Sequence, residues 1–111
     1  MTSRRRLPNR RDAETIEVMH GKKNTRFKIT IGFYHDKAPA EVFVSGAKVG
    51  SEMEAMVRDA AVILSIAMQY GVPLDVISGA ITREHDGSSS SIIGAVVDRL
   101  AFQPGKEGDA C

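Results

Sequence analysis

The chain has 111 residues, 42% of them apolar, and a formal charge of +1, which fits one soluble globular domain with a single modest core and not a disordered segment. No run of about 18 apolar residues occurs, since Arg58 and Asp59 interrupt the best candidate, so no membrane span is expected. The only cysteine, Cys111, is the last residue, which excludes an internal disulfide, a redox cysteine pair and a cysteine zinc site within one chain. The basic N-terminus has no apolar stretch behind it to form a secretory signal, and a cytoplasmic location is the expectation.

Thr2 to Arg11 holds five arginines (Arg4, Arg5, Arg6, Arg10 and Arg11) and no acid, while residues 12–111 carry 10 Lys or Arg against 14 Asp or Glu. The near-neutral total therefore hides a basic arm, residues 1–12, on an acidic body. Two readings of the arm stand. Clustered arginines release counterions and fork onto phosphates, so the arm suits nucleic acid or a nucleotide. Alternatively it is a lead-in segment whose arginines pair with acids of the body.

The first strand is read over Glu14–His20, which holds β-branched Thr15, Ile16 and Val18. After the turn at His20–Asn24, Thr25–Tyr34 alternates with Phe27, Ile29, Ile31 and Phe33 on one face and Arg26, Lys28 and Thr30 on the other. A turn at residues 35–39 leads to a third strand, Glu41–Ser45, with Val42 and Val44 on one face. Strands joined by such short turns form an antiparallel meander.

A long helix is expected over residues 51–70. Ser51 and Glu54 make a capping box, and Gly71 and Pro73 end the helix. Polar residues 52, 58, 59, 65 and 69 form a narrow stripe, and the rest of 60–68 is apolar almost all round. Such a helix is expected to be buried, with cover on more than one side. A short helix follows at Pro73–Ile81 with Pro73 at its first position, and then a polar loop, Thr82–Ser91. Ser90 or Ser91 caps a third helix, Ile92–Ala101, and residues 103–111 form a frayed, Pro/Gly-rich tail. The layout is α+β: a three-stranded antiparallel meander packed on one long helix, followed by two shorter helices, in a single domain over residues 13–102.

Chemistry is sparse. Lys48 and Ser51 sit in the loop before the long helix, where a helix N-terminus can hold a phosphate. The loop lacks the Walker spacing, and Glu52 and Glu54 already satisfy the positive helix end, so a tight strand-to-helix connection competes with that reading. His20, His35 and His85 fall in separate turns with no metal-ligand spacing. Arg83, Glu84, His85 and Asp86 lie beside four serines, but no G-x-S-x-G elbow is present, and a polar loop with an N-cap is the expectation. Catalytic residues and metal ligands are therefore not assigned.

The segments RRRLPNRR, FKITIGFY and AEVFVSGAKVGSEMEAMVRDAAVILSIAMQYGVPLDVI resemble the TSCPD domain. That domain lies near the C-terminus of vitamin B12-dependent (class II) ribonucleotide reductases and also occurs as small stand-alone bacterial proteins. The carrying pieces are Arg6-Leu7-Pro8, Glu41 to Val44, Ala47-Lys48 with Gly50-Ser51, and Gln69 to Leu74, and SIIGAVVDRLA is similar to the family's next helix. The resemblance covers residues 4–101. It implies deoxyribonucleotide metabolism, adenosylcobalamin by association and a reductase chain as partner. The cysteines of the reductase's radical and redox chemistry have no counterpart here, and the Thr-Ser-Cys-Pro-Asp motif is missing. The resemblance thus implies a non-catalytic accessory or binding module. The alternatives are a separated piece of a split reductase, nucleic-acid binding through the arginine arm, or a homodimer built on the long helix or the sheet edge.

Overall fold

The computed structural model describes residues 3–102. Strands β1 (Ala13–His20), β2 (Thr25–Phe33) and β3 (Pro39–Ser45) form one antiparallel sheet in the order β1-β2-β3. Helices α1 (Glu52–Gln69), α2 (Leu74–Ala80) and α3 (Ile92–Phe102) follow. The α+β meander expected from the alternation is present. β1 pairs with β2 from Ala13 opposite Gly32 to His20 opposite Thr25, and β2 pairs with β3 from Lys28 opposite Ser45 to Phe33 opposite Pro39. The second ladder shifts register between Gly32 and Phe33, a bulge that bends the strand where the arm meets it.

Period-two alternation decides the inner face. Phe27, Ile29 and Ile31 of β2 and Val42 and Val44 of β3 are buried together. Val57, Ala61, Leu64 and Met68 of α1, at helical spacing, and Ile92, Val96, Val97 and Leu100 of α3 close the core over them. Gly46 turns the chain out of β3 at φ +135°, and a Cβ there would lie 2.5 Å from the Arg26 carbonyl oxygen, so no other residue fits.

The ends of α1 follow the expected chemistry. Ser51 Oγ accepts from Glu54 N at 3.1 Å, while the Glu54 carboxylate accepts from Gly50 N at 2.8 Å, one residue earlier than in the usual capping box. At the C-terminus Val72 N donates to Ala67 O and Gly71 N to Met68 O, both at 3.0 Å, with Gly71 at φ +83°. That pair of bonds is a Schellman motif. Pro73 departs from expectation. It is the extended N-cap of α2 (φ −63°, ψ 133°), and Leu74 is the first helical residue.

The faces of α1 are also distributed differently from the sequence reading. Ser65 and Gln69, two members of the polar stripe, are buried, whereas Val62, Ile63 and Ile66 are exposed. The cause is the free edge of β3. Val42 N donates to Ser65 Oγ at 2.9 Å, and that hydroxyl lies 2.8 Å from Ala61 O and 3.3 Å from Val42 O. Gln69 Nε2 donates to Ala40 O at 3.0 Å. The helix side chains thus supply the partners that a fourth strand would give, as buried peptide groups require. The chain covers α1 along this one face, and the expected second cover is absent among the described residues.

Replacing Ser65 by Ala strands the Val42 peptide groups and is expected to lower stability by about 1–3 kcal/mol. Leu64→Ala, which empties core volume instead, is expected to cost about 2–5 kcal/mol. Urea unfolding of the two variants measures both losses. An unchanged midpoint for Ser65→Ala contradicts the edge role.

Candidate functional site: a strapped arm and a basic-rimmed groove

Residues 3–12 form neither helix nor strand and lie strapped across the body. Arg5 N donates to Gln69 O at 2.7 Å, at the end of α1, and Phe33 N donates to Asp12 O at 2.9 Å, at the end of β2. Between these anchors the arginines are largely spent on the protein itself. Arg4 Nε donates to Gln69 Oε1 at 2.6 Å, so one buried amide joins arm, helix and strand. The Arg5 guanidinium stacks 3.7 Å above the Tyr34 ring and reaches Asp36 at 3.1 Å, while Tyr34 OH donates to Arg5 O at 2.8 Å. Arg11 Nε pairs with Glu41 at 2.7 Å. Lys37 Nζ approaches Asp12 at 3.5 Å. The Ala38 backbone N–H, and then Arg5, hold the Asp36 carboxyl below the usual carboxylate range.

The second of the two readings of the arm therefore describes Arg5 and Arg11, which pair with acids of the body. Arg6 has no ion pair among the described residues and lines a shallow hollow of about 430 Å³ with Arg5, Leu7, Pro8, Asn9, Tyr34 and His35. Arg10 likewise has no ion pair there, and its carbonyl lies 3.1 Å from His35 Nε2. Lys48 and Ser51 stand apart from these arginines, in the loop ahead of α1. Ser51 Oγ is occupied as the cap and donates to Lys48 O at 2.5 Å, while the Lys48 side chain is exposed.

A groove of about 570 Å³ runs between β3 and α1. Val42, Val44, Val57 and Ala61 make its apolar floor, Phe43 and Ile66 its walls, and Arg4, Lys28 and Arg58 its basic rim. Its two acids are already engaged: Glu41 with Arg11, and Glu54 with the Gly50 amide. The volume suits a small organic molecule or a short peptide. Arg4 is the one candidate phosphate ligand from the sequence that lines it. Sequence reasoning missed the groove because Lys28, Phe43 and Arg58 lie on three different elements and become neighbours only once α1 docks.

The polar loop before α3 is scaffolding. Arg83 grips Asp98 with both ends of its guanidinium, Nη2 to Oδ1 at 2.7 Å and Nη1 to Oδ2 at 2.9 Å, and also donates to Ser78 O at 2.8 Å and Gly87 O at 3.0 Å. Ser78 Oγ donates to Asp98 Oδ1 at 2.9 Å, which ties α2 to α3. The Arg83 hydrogen bonds, followed by that of Ser78, hold the Asp98 carboxyl below its usual range. Asp86 caps Ser88, Ser90 Oγ donates to Glu84, and Ser91 Oγ accepts from Gly94 N as the cap of α3. His20 Nε2 lies 3.2 Å from Ser89 O. Among the described residues no group of three or more His, Cys, Asp or Glu side chains is placed to hold a metal ion, and no helix is long and apolar enough to cross a membrane.

The family model of the TSCPD domain matches residues 1–102. The chain belongs to the TSCPD domain family. Among curated relatives, the vitamin B12-dependent ribonucleotide reductase of Bradyrhizobium diazoefficiens is 30% identical over 82 residues, which is 74% of this TSCPD chain and 6% of the relative. That of Agrobacterium fabrum is 33% identical over 72 residues, 65% of this chain and 6% of the relative. The enzyme of the same description from Rhodopirellula baltica is 47% identical over 49 residues, 44% of this chain and 5% of the relative. This TSCPD chain thus spans about a twentieth of the length of the reductases it matches. No solved structure matches it. The lining of the groove holds no histidine or cysteine that could ligate the cobalt of the vitamin B12 cofactor named in those relatives' description.

Two outcomes follow for the TSCPD fold. Because Asp98 titrates lower when folded than unfolded, the stability it contributes is complete above the ordinary value of 3.8 and is lost as pH falls through the folded value. Asp98→Asn is expected to flatten that acid limb in thermal melts taken from pH 7 down to about pH 2. Tyr34→Phe removes the hydroxyl bond to Arg5 O, with an expected cost of about 1 kcal/mol and faster tryptic cleavage after Arg5 and Arg6. Unchanged cleavage contradicts the strap.

Proposed function

We propose that this chain is a non-catalytic accessory module of deoxyribonucleotide metabolism that docks on a vitamin B12-dependent ribonucleotide reductase chain. The observation that carries the reading is the pairing of two facts. Most of the chain aligns with a small segment of such reductases, and the sequence holds no cysteine before Cys111 on which radical or disulfide chemistry can run. The titratable groups support the same view. Arg83, Asp98, Glu84 and Asp86 are consumed in tying the loop and helices together, and none is paired as acid and base over a cavity. Docking through the Lys28–Arg58 rim of the groove would place complementary acids of the reductase against charges that the chain leaves without ion pairs among its described residues.

A second reading, the separated piece of a split reductase, draws on the same alignment. One calorimetric and kinetic experiment separates the two. The full chain is titrated into a B12-dependent reductase lacking the homologous segment, and turnover with adenosylcobalamin is followed. Binding without a change in turnover supports the accessory module, and binding with restored turnover supports the split piece. Absence of binding overturns both. Nucleic-acid binding through the arm is left with Arg4, Arg6 and Arg10 outside the described ion pairs. If it occurs, the salt slope against single-stranded DNA is expected to be about 2, well below the value of about 3.5 for all five arginines.

A further inference from the structure

The outward face of α1 carries a second pattern. Met56, Ile63 and Tyr70 recur every seven residues and are 63%, 69% and 41% exposed, with Val62 and Ile66 beside them at 55% and 37%. A seven-residue apolar repeat is the spacing by which one helix holds a seam against another. The exposed parts of these five side chains amount to roughly 500 Å², near the upper end for the largest apolar patch on a typical monomer. That is also about the apolar share, near 65%, of the ~800 Å² that each partner contributes to a standard-sized homodimer interface.

We propose that this face is a two-fold interface between two copies of the chain, with α1 packed antiparallel on α1 of the second copy about Ile63. The sequence is self-complementary in that register, which selects a second copy as the occupant. Ile63 meets itself, and Met56 meets Tyr70 of the second copy at both ends, a sulfur-to-ring contact. Ile66 lies over the small Ala60, so large and small side chains alternate across the seam. Asp59, the charge in the middle of the stripe, falls beside Ala67 of the second copy. Helical side chains lean toward the helix N-terminus, which directs the hydroxyl of Tyr70 in the second copy back toward the Asp59 carboxylate. The product is a four-layer stack of sheet, helix, helix and sheet, in which the second copy supplies the cover that the chain's own fold leaves off α1. The inward face, with Ser65 and Gln69 on the edge of β3, is untouched by this packing.

Sedimentation equilibrium of the full chain tests the interface. At about 100 µM, above the micromolar range of a weak interface of this size, the mass is expected to be twice the chain's 12.0 kDa. Ile63→Glu is expected to return it to the single-chain mass with unchanged circular dichroism, since this side chain is exposed within one copy. On a Cys111→Ser background, Ile63→Cys is expected to oxidise to a covalent dimer, whereas Val49→Cys, which is 85% exposed and lies off this face, stays uncrosslinked. A single-chain mass for the native protein, a dimer that survives Ile63→Glu, or equal crosslinking at both cysteines overturns the proposal.

Discussion

An antiparallel sheet of three strands has two edges, and each edge presents peptide groups that must find partners or water. On the β3 side of this protein the partners are side chains of α1. Ser65 takes the Val42 amide and Gln69 takes the Ala40 carbonyl, both buried. This contact fixes the rotation of the helix about its own axis. Val57, Ala61, Leu64 and Met68 then fall over the inner face of the sheet, and Ile63 and Ile66 turn outward. The same contact fixes the arm, because the second end of the Gln69 amide accepts from Arg4 and the Gln69 carbonyl accepts from Arg5 N. One glutamine therefore connects the N-terminal strap, the long helix and the last strand.

The electrostatics follow from this geometry. A basic arm on an acidic body is drawn down onto it, and the stack of Arg5 on Tyr34, the Asp36 pair and the Arg11–Glu41 pair hold it there. The exposed Arg5–Asp36 pair contributes little alone. The backbone bonds at Gln69 O and Asp12 O give the strap its register. After α1, Arg83 and Asp98 form a two-pronged clamp that closes the α2–α3 corner. Four of the arginines read as candidate chemistry in the sequence, Arg4, Arg5, Arg11 and Arg83, hold irregular segments in the fold.

The sheet, its inner face, the caps of α1 and the three helices were legible because each rests on local pattern. Alternation in β2, the Ser51–Glu54 box and the Tyr70-Gly71-Val72-Pro73 stop signal their structures without reference to the rest of the chain. The direction in which α1 faces was not legible. Ser65 and Gln69 look like solvent-facing residues, and only the position of the β3 edge makes them buried donors and acceptors. The groove was hidden for the same reason, since its basic rim joins Arg4, Lys28 and Arg58 from three segments. The expected tail at residues 103–111 lies outside the described residues.

The protein belongs to the TSCPD family, its only cysteine is Cys111, and the stretch it shares with its reductase relatives is about a twentieth of their length. On α1 the polar Ser65 and Gln69 are used inward at the β3 edge, while Val62, Ile63 and Ile66 are left outward. The most direct measurement of that inversion is amide hydrogen exchange at Val42, read by NMR. The α1 seal predicts that Val42 N–H, on an edge strand, is protected as strongly as the Ile29 and Ile31 amides of the central strand, and that Ser65→Ala removes this protection selectively. Exchange at Val42 as fast as in an uncovered edge strand, or protection unaffected by Ser65→Ala, would contradict it.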